Sequence, residues 1–162
     1  MVEEVELRGR VREIIAAQPT AERTYLLEVL HGVQDEFGHV PLAAAEEIHR
    51  VMGVPVAEIH TLASFYDLLS VEPEGQQVLH ICQDVACHVR GAKELAAAAG
   101  RFIGPEGQVT PDGRLSWHRC SCLGLCDKAP AALVGHDERA PLTPADVRTL
   151  AAAGGEGGDG HD

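Results

Sequence analysis

Basic residues are scarce in this chain: 13 Lys and Arg stand against 25 Asp and Glu, for a formal net charge of −12. Proteins that bind nucleic acid draw most of their affinity from cations that neutralise phosphates, so no nucleic-acid partner is expected. No apolar run approaches the roughly 20 residues that cross a bilayer, and no direct membrane insertion is expected. The start, Met1-Val-Glu-Glu-Val-Glu6, lacks both a basic segment and an apolar core, so a secretory leader is not expected either. No Gly-rich nucleotide fingerprint and no P-loop occurs, and Gly154-Gly155 lies near the end rather than at a strand–helix junction. C-x-x-C is missing, which argues against a redox-active dithiol. Without a convincing nucleophile or acid/base pair, bond chemistry by this chain alone is not expected.

What is present is an unusual arrangement of cysteine. Four of the five cysteines form two close pairs, Cys82-x4-Cys87 and Cys122-x3-Cys126. In a reducing cytoplasm disulfides rarely persist, so two tight pairs of thiols point to metal binding. Zinc ribbons usually space both pairs as C-x2-C, and here both gaps are wider. A two-iron cluster, with two thiolates on each iron, suits this spacing better, and Cys82, Cys87, Cys122 and Cys126 are the expected ligands of a [2Fe–2S] cluster. Cys120 is left out of that set, because a free cysteine is most often a small buried hydrophobe. His80, His88 and His118 flank the pairs and are read as supporting or surface residues. A Rieske-type site would use two histidines and only two cysteines, whereas four paired cysteines are available.

The first part of the chain has helical periodicity. One run covers about Gly9 to Gln18 and stops at Pro19; Thr20 is read as the cap of a second that extends to Phe37 and ends at Gly38. Pro41 to Gly53 and the segment opened by Pro55 complete a small bundle. After Glu72-Pro-Glu-Gly75 the pattern becomes α/β. A strand ends at Cys82, a helix runs from about His88 to Ala99 with Cys87 just ahead of it, and a strand covers Leu115–Cys120. A short strand lies at Pro130–Val134, and Thr143-Pro144 caps a last helix. The expected division is a helical bundle over 1–72, a cluster domain over 73–153, and a disordered acidic, Gly-rich tail over 154–162. Around the metal site, Gly124 lets the second loop approach, and Leu123 and Leu125 are expected to exclude water.

These residues resemble a known family. Cys82-x4-Cys87, followed by Cys122-Leu-Gly-Leu-Cys126-Asp-Lys-Ala-Pro130 and preceded by Ser64-Phe-Tyr66, is similar to the 24 kDa-type [2Fe–2S] subunit of NADH dehydrogenases. That family spans respiratory complex I, the gamma subunits of NAD-dependent formate dehydrogenases and the diaphorase subunits of bidirectional hydrogenases. The segments Gln34–Pro41 and Ala86–Gly91 share the likeness, which covers about residues 10 to 150. The resemblance implies an α/β fold, a thioredoxin-like [2Fe–2S] ferredoxin domain behind a small N-terminal helical bundle. It also implies electron transfer as part of a multi-subunit NAD(H)-dependent oxidoreductase, with FMN and NAD(H) on a neighbouring flavoprotein subunit. The location implied is cytoplasmic, or the inner face of the membrane as part of a larger complex. A cluster-based redox sensor and a structural zinc module are the alternatives. Cys120 is an additional thiol beside the family pattern.

Overall fold

The computed structural model describes residues 2–153, so the expected tail over 154–162 lies outside the described residues. The chain divides into two compact units, Met1–Glu74 and Gly75–Asp162.

The first unit is helical: α1 (Val2–Ala16), α2 (Leu26–Phe37), α3 (Leu42–Met52) and α4 (Val56–Phe65). Four boundaries follow the Pro and Gly signals. Gly38 and Gly53 close α2 and α3 in the left-handed region, at φ 74° and 72°, where glycine is strain-free, and Pro41 and Pro55 stand at the starts of α3 and α4. Two boundaries differ from the sequence reading. Helix α1 begins before Gly9, because its polar first turns are held by charge rather than by apolar periodicity: Arg8 reaches Glu4 at 2.9 Å and Glu46 of α3 at 2.7 Å. Thr20 caps nothing; a 3₁₀ turn, Arg23–Tyr25, leads into α2, whose buried stripe starts only at Leu26 and continues through Val29, Leu30 and Val33.

Val11, Ile15, Val29, Leu30, Ile48 and Ile59 fill the core of this unit. Beside them lies a fully buried carboxylate, Glu47. Arg12 donates to it at 2.6 Å, Arg50 also donates to it, and Arg8 stands 3.6 Å away. Burial alone would raise the Glu47 pKa, but the hydrogen bonds from Arg12 and Arg50 outweigh it and hold the carboxyl below its ordinary value.

The second unit carries a four-stranded sheet in the order β2-β1-β3-β4, from β1 (Gln77–Cys82), β2 (Leu115–Cys120), β3 (Ala132–Val134) and β4 (Asp137–Arg139). Strands β1 and β2 are parallel, in a register from Gln77↔Leu115 to Cys82↔Cys120. The crossover between them contains α5 (Val85–Val89) and α6 (Ala92–Phe102), while β3 runs antiparallel to β1 and to β4. The expected continuous helix from His88 to Ala99 is therefore two helices, broken where Gly91 takes φ 106°. Strand β4 goes beyond the sequence reading: it is the exposed edge, Asp-Glu-Arg, with no apolar alternation to mark it.

Side chains on successive strand residues point to opposite faces, and this alternation separates the core from the cysteines. Leu79, Ile81, Trp117, Ala132 and Val134 pack with Leu95 of α6 and Val147 of α7 (Pro144–Ala152). Cys82 and Cys120 belong instead to a second buried group with Cys87, Ala92, Ala129 and Ala131. Thr143 caps α7 as expected, forming a capping box with Asp146, and at the helix end Arg114 donates to the carbonyls of Leu150 and Ala151, at 3.3 and 2.9 Å. Gly75 lies so close to β2 that a Cβ there would stand 2.5 Å from the Leu115 carbonyl carbon.

Candidate metal centre

Strand β1 delivers Cys82 at its C-terminal end, buried, and the chain must then turn to bring back Cys87. Asp84 makes that turn: its carboxylate accepts the Val85 N–H at 2.6 Å and caps α5. Cys87 lies within α5 rather than ahead of a helix, and it is as buried as Cys82. A backbone amide meets its sulfur: Ala131 N–H donates to Cys87 Sγ at 3.4 Å. That amide comes from the segment after Pro130, whose peptide bond with Ala129 is cis.

The second pair sits on the loop beyond β2. Cys122 and Cys126 are exposed, with their sulfurs 3.5 Å apart. Two thiolates on one tetrahedral metal at about 2.3 Å would lie roughly 3.7 Å apart, so this pair is already spaced to share one metal. Gly124, at φ 79°, makes the tight loop between them, and Cys126 opens a 3₁₀ turn, Cys126–Lys128. Leu123 and Leu125 pack on the buried group that holds Cys82 and Cys87, as expected of residues that exclude water.

All four cysteines of the expected set interact. Burial pushes the Cys87 thiol up, the Ala131 amide opposes this, and both Cys82 and Cys126 push it further up. Cys126 is pushed up first by its hydrogen bond with Cys122, and also by the charges of Cys82 and Asp84. The neighbouring sulfurs therefore disfavour ionisation of Cys87 and Cys126, a conflict that a bound cation centre resolves by neutralising the thiolates. Among the described residues, no group of three or more His, Cys, Asp or Glu side chains is placed to hold a single metal ion. A structural zinc would need all four thiols around one point, whereas a two-iron centre needs two pairs with sulfide between them. The donor set fits the latter.

His80 and His118 are register partners one alternation behind Cys82 and Cys120, with ring centroids 6.0 Å apart, while His88 is exposed on α5. Sequence reasoning missed Asp84 and the Ala131 amide. The first carries a signal, an Asp just before a short helix; the second is a backbone group that no residue type marks.

Comparison with known proteins places this arrangement. The family described as thioredoxin-like [2Fe-2S] ferredoxin matches residues 11–153. The subunit HndA of an NADP-reducing hydrogenase from Solidesulfovibrio fructosivorans is 33% identical over 147 residues, covering 90% of this chain and 85% of the relative. A subunit of the NADH-quinone oxidoreductase from Escherichia coli K12 is 35% identical over 129 residues, covering 79% of this chain and 78% of the relative. Among solved structures, an NAD+-reducing [NiFe]-hydrogenase in the air-oxidised state aligns with a TM-score of 0.66 at 29% identity over 79% of this chain. This chain spans 22% of that hydrogenase chain. From the matched length and the relatives alike, the chain belongs to the thioredoxin-like [2Fe–2S] ferredoxin family, and its cofactor is a [2Fe–2S] cluster.

Proposed function

We propose that this chain is the one-electron carrier of an NAD(H)-dependent oxidoreductase complex, with its cluster held by Cys82, Cys87, Cys122 and Cys126. The observation that carries this reading is the meeting of a buried thiol pair, on β1 and α5, with an exposed pair on the loop after β2. The buried pair anchors the site in the sheet. The exposed pair, 3.5 Å apart, sits where an electron can leave the protein. When bound, a [2Fe–2S] cluster supplies a store for a single electron.

The chain's own residues do the rest. Ala131 N–H faces the sulfur of Cys87 and favours negative charge there. Leu123, Leu125 and the alanines at 92, 129 and 131 keep water from the buried side. On α5, Val85 and Val89 lie one turn apart and are 74% and 78% exposed, forming an apolar rim beside Cys87 that suits a docked protein.

The partner is a flavoprotein subunit that binds FMN and the nicotinamide nucleotide. The relatives belong to a hydrogenase and to NADH-quinone oxidoreductases, in line with such an assembly. A hydride carries two electrons, and a flavin beside a one-electron carrier can divide them, so this chain needs no nucleotide site. Among the described residues, no helix is long and apolar enough to cross a membrane. This reading puts the complex in the cytoplasm, or at the inner face of the membrane through other subunits. The test is anaerobic co-purification with the flavoprotein, followed by NADH. The reduced-cluster EPR signal should develop; a cluster that dithionite reduces but NADH in the complex leaves oxidised would refute the assignment.

A further inference from the structure

The sheet brings a fifth thiol to the proposed ligands. Cys120 closes β2 as Cys82 closes β1, and the two are register partners, so their side chains leave the same face of the sheet. Cys120 is 5% exposed and packs in the same buried group as Cys82 and Cys87, whose other members are alanines. Gln83 N–H donates to the Cys120 carbonyl at 3.0 Å and ties its backbone to the residue after Cys82. Cys120 is thereby fixed in the strand pair, while Cys122, two residues on, lies outside the strand on the exposed loop. In an ordinary core a buried cysteine is small apolar filling. Here the nearest element of structure ends in a proposed ligand, and a thiol is a hydrogen-bond donor where alanine is not.

We propose that Cys120 is a potential-setting residue: it remains a thiol, does not ligate iron, and directs its S–H towards the sulfur atoms gathered at Cys82. The inference rests on the ligand set of the proposed function. Reduction adds negative charge to a centre that is already anionic, and hydrogen bonds to the sulfurs are among the terms that set a cluster's potential. A donor favours the more negative, reduced state, so Cys120 raises the reduction potential.

The test uses the full chain with its cluster, purified anaerobically, as wild type, Cys120→Ala, Cys120→Val and Cys120→Ser. Iron, sulfide and far-UV circular dichroism are measured, and the potential is titrated by EPR. All variants should keep wild-type iron and sulfide. Ala and Val, which lack the donor, should shift the midpoint potential downward and alter the reduced spectrum, and Ser, which keeps a donor, should lie nearer wild type. Val refills the space that Ala empties, so a shift in Ala alone would be a packing effect and would overturn the proposal. So would a wild-type potential in both Ala and Val, or loss of iron from all three variants with the fold retained, which would make Cys120 a ligand. A wild-type chain without any cluster would sink the ligand set itself, a result distinct from an unmoved potential.

Discussion

The two units stabilise themselves by different means. Residues 1–74 hold 14 acidic and five basic residues, whereas 75–162 hold 11 and eight, so most of the negative charge belongs to the helical unit. That unit has a core of Val, Ile and Leu, and it gathers three of its five arginines at one buried carboxylate, Glu47. The ferredoxin unit has a comparable core only on the side of Leu79, Leu95 and Trp117; its other buried group is made of alanines and thiols. Small side chains bury little apolar area, so that end of the sheet gains little from the hydrophobic effect. Where ligands from separate segments meet, order is usually coupled to the metal, so this end of the sheet is expected to respond to loss of the cluster. The buried core of the helical unit contains no thiols.

The largest effect expected from breaking this contrast is at the thiols. Cys87→Ser or Cys126→Ser should lose the cluster or change its spectrum, and amide exchange should rise over residues 82–92 and 120–131. Exchange in the helical core around Val29, Leu30 and Ile48 should stay as in wild type. Rising exchange in both units would mean that the helical unit also relies on the centre.

Glu47 is the corresponding weak point of the helical unit. Glu47→Ala removes the charged hydrogen bonds from Arg12 and Arg50, whose side chains are 54% and 59% exposed and stay hydrated, and should cost about 1.5–3 kcal/mol, measured by denaturant unfolding. The pH dependence has a definite sign. The folded-state pKa of Glu47 lies below its unfolded value, so its contribution is present above the unfolded pKa, about 4.3, and is lost as pH falls through the folded one. Acid unfolding of the helical unit should therefore steepen below about pH 4, and Glu47→Gln should flatten that limb. Unchanged acid unfolding in Glu47→Gln would show that other carboxylates control it.

Two smaller changes sharpen the comparison within the ferredoxin unit. Gly75→Ala places a methyl group against the Leu115 and Ser116 backbone and should cost about 1–3 kcal/mol by forcing β2 to shift. Thr143→Ala removes the capping box of α7, with an expected loss of about 1 kcal/mol. Both should lower the thermal midpoint of the ferredoxin unit and leave iron content unchanged; iron loss from Thr143→Ala would tie α7 to the metal site.

Much of this was legible from residue types whose physics is local. Pro41, Gly53 and Pro55 marked helix ends because their backbone limits act without tertiary context. The pairs Cys82–Cys87 and Cys122–Cys126 were legible because ligand chemistry restricts spacing. What escaped depended on context. The left-handed backbone at Gly91 separates Val85–Val89 from Ala92–Phe102, and the Asp84 cap starts the first helix early enough to put Cys87 inside it. Strand β4 is three charged residues that exist as a strand only because β3 offers an edge. The Ala131 amide is placed on Cys87 by the path of the chain, which no single residue announces.

The most direct test of the central claim is iron and acid-labile sulfide analysis of the anaerobically purified chain, with EPR before and after dithionite. About two irons and two sulfides per chain, silent when oxidised and giving a rhombic signal when reduced, is the result expected of a cluster held by Cys82, Cys87, Cys122 and Cys126. Stoichiometric zinc without sulfide, persisting after an attempt at cluster reconstitution, would contradict it.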